Sequence, residues 1–379
     1  MSVATHSTSL LPAYARQDVT FVDGEGAWLV DAEGRRYLDL AAGIAVVGLG
    51  HGHPAPLAAA REQLERLWHV SNLYWTEPMA SLADQLSSRF GGASAFFCNS
   101  GTEAIEAALK YARKATGNPG VVALEGSFHG RTMGALSVTG QPAKREAFEP
   151  LVPGVAFARL NDPESLAAAV GPDTGCILVE PVQGEGGIHV LDSAFVAEAR
   201  ALADEHGALL VLDEVQTGVG RTGTFFAFEQ LDVRPDAVTL AKGLANGLPI
   251  GCLLVADDGP PGFEPGDHAS TFGGNPVACA AACAVCDTID DELLEAVRER
   301  GSRLALLLTG LPGVIAVRGR GLLLGADLRR TAEDVVGSCL ERGLLVGAAG
   351  EHTLRITPPL TIEAHELDQA LAILEEVLK

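Results

Sequence analysis

Three places in the chain carry residue types and settings suited to chemistry: Lys242, Asp213, and the run Asn99-Ser100-Gly101-Thr102-Glu103-Ala104. Lys242 closes the apolar stretch Thr239-Leu240-Ala241 and is followed at once by Gly243. A lysine held partly out of water gives up its proton more readily and becomes the amine that Schiff-base chemistry needs. Taken alone it reads better as a strand-end lysine snorkelling to water. Asp213 ends a second apolar stretch, Leu209-Leu210-Val211-Leu212. A carboxylate there is costly unless it meets a cation or donors. A protonated pyridine nitrogen would meet that need and keep its ring able to absorb electrons; an ordinary polar residue closing a strand is the plain alternative. In the third place, small residues open a helical run that continues to Ala115 and is closed by Gly117. Free N–H groups at such a start can grip a phosphate, or Ser100 simply caps the helix. Each signal is ordinary by itself, but all three fall at the carboxyl ends of strands of what reads as one sheet.

The elements that position them follow from periodicity. Short runs apolar at every position, over 95–98, 121–124, 176–180, 208–213, 237–241 and 251–255, alternate with helical stretches. Such strands belong to a mostly parallel sheet covered on both faces, an α/β architecture whose ligands bind beyond the carboxyl ends of the strands. Two helical stretches, 56–67 and 79–90, precede them. Ahead of those, residues 21–40 contain alternating runs broken by Asp23-Gly24-Glu25-Gly26 and Asp31-Ala32-Glu33-Gly34, which read as turns of a β-meander. After Cys286 the pattern is α+β: helices over 293–311 and 331–341, strands near 314–317, 322–327 and 354–357, and a last helix over 362–379. The expected division is an N-terminal segment, 1–53, packing with a small C-terminal α+β domain, 289–379, beside a large domain, 54–288.

Bulk composition narrows the class. A chain of 379 residues with 47% hydrophobic and 20% charged residues can bury an ordinary globular interior. A net charge of −22 offers no basic face for nucleic acid, so no nucleic-acid partner is expected. Seven cysteines, an odd number, do not suggest a secreted disulfide framework. Residues 1–12 lack a basic start followed by an apolar run, and the apolar run over 38–50 is too short and glycine-rich to span a bilayer. A cytoplasmic protein with no membrane partner is expected.

Other patterns fail on context. Gly218-Val219-Gly220-Arg221-Thr222-Gly223 matches the dinucleotide fingerprint but is followed by an aromatic stretch rather than a helix, and reads as a flexible turn. His51 and His53 have no third ligand nearby and read as loop residues. Cys279, Cys283 and Cys286 share one face of a helix among alanines and valines, which suits core packing better than metal. No metal site is expected.

The chain resembles the class III, subgroup II, pyridoxal-phosphate-dependent aminotransferases of fold type I. The resemblance runs almost end to end, through the segments 39–54, 71–78, 99–110, 125–142, 180–187, 212–223, 241–251 and 270–276. It implies a large domain with a mostly parallel seven-stranded sheet, a smaller α+β domain, pyridoxal 5'-phosphate as cofactor, and a homodimer with active sites at the subunit interface. Lys242 would hold the cofactor as a Schiff base and shuttle the proton. Gly101 and Thr102 would hold the phosphate, and Phe128 and Val215 would sandwich the ring. Asp213 would pair with the ring nitrogen and Gln216 would approach the ring hydroxyl. Thr271 would reach the phosphate in the neighbouring subunit, while Ser270 would line the substrate site. Arg131 would take the substrate carboxylate and Arg355 the α-carboxylate of glutamate or 2-oxoglutarate. Glu185 would neutralise Arg355 while the ω-amino donor is bound. Two positions depart from the family pattern: Ile105 where asparagine is common, and Ala269 where glycine is usual.

Within the family, Phe128-His129-Gly130-Arg131-Thr132 leans towards N2-acetyl-L-ornithine as donor with 2-oxoglutarate as acceptor, a ping-pong exchange of arginine biosynthesis. Ornithine, succinylornithine, 4-aminobutyrate and lysine-pathway donors are the alternatives. A non-catalytic sensor built on the same fold would ordinarily carry a DNA-binding segment. A decarboxylase or aminomutase would not need both carboxylate-binding arginines.

Overall fold

The computed structural model describes residues 9–379, so most of the 1–12 segment weighed for a leader lies outside the described residues. The chain opens with the strands β1 (Phe21–Glu25), β2 (Trp28–Asp31) and β3 (Arg36–Asp39). Asp23-Gly24-Glu25 lies inside β1, and the reversal falls at Gly26 and Ala27 instead. Polar strand residues at an exposed edge imitate a turn in sequence. Helices α1 (Pro54–Leu64) and α2 (Glu77–Phe90) follow.

The next elements are β4 (Ala93–Cys98), α3 (Gly101–Thr116), β5 (Gly120–Leu124), β6 (Val155–Ala158), β7 (Thr174–Val179), α4 (Ser193–His206), β8 (Leu209–Asp213), β9 (Ala237–Leu240) and β10 (Gly251–Ala256). They form one seven-stranded sheet in the order β4-β10-β9-β8-β7-β5-β6. β8 runs parallel to β7 and β9, while β10 is antiparallel to both neighbours. β7, β8, β9 and β10 are buried along their whole length, which is why they read as unbroken apolar runs.

The remainder comprises α5 (Pro276–Thr288), α6 (Asp291–Thr309), β11 (Val314–Arg320), β12 (Leu323–Leu328), α7 (Ala332–Glu341), β13 (Leu344–Leu345), β14 (Gly347–Ala348), β15 (Thr353–Ile356) and α8 (Ala364–Leu378). A four-stranded sheet is ordered β11-β12-β15-β14. β13 pairs in parallel with β3, Leu344 opposite Leu38, and so ties the end of the chain to its beginning. Cys279 and Cys286 are buried on α5 among core alanines and valines, and all seven cysteines are free. Among the described residues no group of three or more His, Cys, Asp or Glu side chains could hold a metal, and no helix is long and apolar enough to cross a membrane. His51 bonds Asp39 at 2.8 Å, and the His53 ring accepts from Ala55 N at the start of α1.

Candidate active site

Four carboxyl ends of the large sheet converge on one cavity of about 400 Å³. Asn99 follows β4, Glu180 follows β7, Asp213 ends β8, and Lys242 lies two residues past β9. All four line the cavity, as do Gly101, Thr102, Phe128, Arg131, Glu185, Val215 and Gln216.

Each side chain is placed by its local sequence. Ser100 caps α3, its Oγ accepting from Glu103 N at 3.4 Å, and Gly101 and Thr102, whose first-turn N–H groups have no partner within the helix, line the cavity at the positive end of a 16-residue helix. A Cβ on Gly101 would lie 2.7 Å from Val215 Cγ1, so only glycine lets the helix start reach the loop after β8. The Thr102 and Thr132 hydroxyls bond each other at 2.8 Å, tying the start of α3 to the loop that bears Arg131. Lys242 sits at φ +44°, a left-handed conformation that a non-glycine residue adopts at a cost and that is concentrated at functional sites.

The electrostatics are unusual for a protein interior. Asp213 is 4% exposed; its Oδ1 accepts from Val215 N at 3.0 Å and Thr239 Oγ1 at 3.1 Å, and its Oδ2 lies 2.7 Å from His129 Nδ1. Burial opposes a proton on His129, but the bond to Asp213 and its charge outweigh that and raise the imidazole's pKa, with Glu180 adding to the effect. Burial lifts Glu180 to about 7, against His129 and the N–H groups of Phe128 and Gly184. Lys242 is pushed down to about 8, chiefly by burial and further by Arg355, with Glu185, Asp213 and Glu180 pulling the other way. About a tenth of that lysine is therefore free amine at pH 7, far more than for an unburied lysine.

At the other end of the cavity, Glu185 Oε1 accepts from Arg355 Nη1, which also donates to Gly184 O at 3.1 Å. Burial works to raise the Glu185 pKa, but the charge and hydrogen bond of Arg355, helped by Lys242 and Lys144, hold it below the usual carboxylate range. Arg131 is exposed at the cavity wall 5.6 Å from the Phe128 ring centre, and among the described residues no carboxylate lies within ion-pair distance of it.

Nine of the twelve site residues read from the sequence line this cavity, and Arg355 joins them through its ion pair with Glu185. Ser270 and Thr271 do not line this chain's cavity: Ser270 Oγ accepts from Asn99 Nδ2 at 3.2 Å, and Thr271 is exposed. Sequence reasoning assigned no role to His129 or Glu180. Glu180 carries the same signal that singled out Asp213, a carboxylate closing an apolar strand. The turn over 218–223 is corrected from flexible to buried, with Arg221 enclosed and Gly218 N bonded to Glu214 O at 3.0 Å.

A family profile described as aminotransferase class-III matches residues 13–378. The acetylornithine aminotransferase of Methanopyrus kandleri is 50% identical, over 97% of this chain and 96% of its own length. That of Gloeobacter violaceus is 49% identical, over 97% and 95%. Among solved structures, the ornithine aminotransferase of Toxoplasma gondii, described with pyridoxal phosphate partly occupying its active site, superposes with a TM-score of 0.92 at 31% identity, over 98% of this chain and 92% of that one. With a low-pKa lysine, a buried aspartate and a helix N-terminus meeting in one cavity, and with likeness along nearly its full length, the chain belongs to the class-III aminotransferases.

Proposed function

We propose that the chain transfers the δ-amino group of N2-acetyl-L-ornithine to 2-oxoglutarate, giving N-acetyl-L-glutamate 5-semialdehyde and L-glutamate, a step of arginine biosynthesis. The similarity to relatives named acetylornithine aminotransferase, near 50% identity over almost the whole chain, supports the donor. The observation that carries the chemistry is a buried lysine amine, lowered to about 8, in one cavity with Asp213 and with Glu185, whose carboxylate pairs with Arg355.

Pyridoxal 5'-phosphate fits the cavity. Gln216 Oε1 is buried with no hydrogen-bond partner among the described residues, an acceptor awaiting a ligand hydroxyl. Asp213 is a buried carboxylate lining the cavity, and Gly101 and Thr102, the first residues of α3, line it too, where a phosphate would meet the positive end of the helix. When bound, the cofactor holds the substrate nitrogen covalently and takes up the electrons released when a C–H bond breaks.

The chain's own residues supply the rest. Lys242 Nζ is the amine that would hold the cofactor and, once released, move a proton as base and acid; its low pKa leaves it able to accept one. Asp213 would keep a proton on the ring nitrogen, and His129 holds its carboxylate in place. Phe128 and Val215 give the cavity apolar walls. Arg131 takes the donor's α-carboxylate with a planar fork. Closed on Arg355, Glu185 removes the net charge at the far end, which suits a donor that presents an uncharged methylene there. An acceptor bearing an α-carboxylate draws Arg355 to itself, and Glu185 swings off.

Two copies complete the site in this reading. Trp75 and Leu73 are 87% and 84% exposed, and Trp68, Tyr74 and Phe272 stand open to solvent. So large an apolar surface marks an interface, and it adjoins Thr271, which in a homodimer is free to reach the partner's phosphate. We place the enzyme in the cytoplasm. Comparison of kcat/KM for a panel of ω-amino donors with 2-oxoglutarate tests the substrate. N2-acetyl-L-ornithine should lead; a wide lead for 4-aminobutyrate or plain ornithine would overturn the donor and leave the chemistry standing.

A further inference from the structure

The turn over 218–223 is left without a role by the chemistry above, yet it holds an unusual side chain. Arg221 is 3% exposed, and among the described residues no carboxylate pairs with it. A buried guanidinium without a counter-charge is costly, and an apolar side chain of similar volume would fill the space more cheaply. What it does instead is donate to two carbonyls of another part of the fold: Nη1 reaches Leu322 O at 3.1 Å and Pro358 O at 2.5 Å. Leu322 N returns a bond to Arg221 O at 3.0 Å. The segments touch so closely that a Cβ on Gly321 would lie 2.6 Å from the Thr222 backbone.

Both carbonyls flank the strand pair that carries Arg355. Leu322 leads directly into β12, whose Gly325 lies opposite Arg355 of β15, and Pro358 comes two residues after β15 ends. On its other side the turn is anchored to Glu214, the neighbour of Asp213, through the Gly218 N–H. We propose that Arg221 is a positioning residue for the acceptor half of the reaction, bonding the loop after Asp213 to the two segments that set where Arg355 stands.

The donor's anchor has no such dependence. The loop bearing Arg131 is held by bonds to Glu180, Thr139, Thr102 and Glu106. The fold around Arg355 also has independent support, since Thr357 donates from its N–H to Leu40 O at 2.8 Å and from its hydroxyl to Ala41 O at 3.0 Å. Loss of the Arg221 bonds therefore shifts Arg355 without unfolding its strand.

The inference rests on Arg355 as the acceptor's carboxylate ligand, so the test carries Arg355→Ala as a benchmark. The two half-reactions are followed separately by absorbance: N2-acetyl-L-ornithine with enzyme loaded with pyridoxal phosphate, and 2-oxoglutarate with enzyme loaded with pyridoxamine phosphate, which supplies the amino group. Arg221→Leu should raise the half-saturating 2-oxoglutarate concentration about tenfold, the equivalent of one charge-assisted bond misaligned, and leave the donor half-reaction unchanged. Arg221→Lys, which retains a donor and a charge, should fall between, and it carries the test if the leucine variant does not fold. Parallel changes in both half-reactions, or no change in either, overturn the proposal. If Arg355→Ala itself fails to weaken 2-oxoglutarate selectively, the reading of Arg355 has failed instead.

Discussion

Lys242 stands at a left-handed backbone position with its amine pushed down to about 8 by burial, and both features follow from the place where β9 ends. Its folded pKa lies below the 10.5 of an unburied lysine, so the cost of charging it is fully present below about pH 8 and vanishes above about 10.5. Cofactor-free Lys242→Met should thus be more stable than the parent at pH 7, by roughly 1–3 kcal/mol, and the gain should fade as the pH rises towards 10. Urea unfolding at several pH values measures it; a gain that does not vary with pH would contradict the burial argument. The Glu185–Arg355 pair makes a second residue-scale prediction. Glu185→Gln removes the counter-charge of Arg355, so glutamate should improve as amino donor by about fivefold to thirtyfold relative to N2-acetyl-L-ornithine, read from the two kcat/KM values. Lys242 and Asp213 were legible because each closes an unbroken apolar run. His129 was not, because nothing in a Phe-His-Gly sequence says that its ring will be buried against Asp213, 84 residues on.

At the scale of elements, the start of α3 and the loop after β8 must meet for the cavity to have a floor. Gly101→Ala sets a methyl group against Val215 and should weaken pyridoxal phosphate binding about tenfold while costing roughly 1–3 kcal/mol of stability; titration of the cofactor-free enzyme and urea unfolding read the two effects. Unchanged affinity would mean that the helix start does not form the cradle. The buried strands and α3, with Ser100 as its cap and Gly117 as its stop, could be read from sequence because burial on both faces and capping leave plain marks. β6 left none: four residues, Val-Ala-Phe-Ala, at the sheet edge and mostly half-buried, are too short and too ordinary to stand out. The glycines at 218–223 misled for a related reason. Glycine signals freedom when the chain is read alone, whereas here Gly220 and Gly223 allow close approach to side chains from elsewhere in the fold.

For the whole molecule, the apolar surface around Trp68, Leu73, Tyr74 and Trp75 argues for a second copy. Sedimentation equilibrium should give twice the chain mass, and the double variant Leu73→Glu with Trp75→Glu should sediment as a monomer and lose most transaminase activity, since each site would lack the partner's Thr271. An active monomer would refute the shared site. No spacing rule could have found this surface from sequence; its residues became conspicuous only when the fold left them uncovered. The central claim is the covalent one at Lys242. Borohydride reduction of the enzyme loaded with pyridoxal phosphate, followed by mass mapping of its peptides, tests it most directly. The account predicts one phosphopyridoxyl group per chain, on the peptide containing Lys242; a label on another lysine, or none, would contradict it.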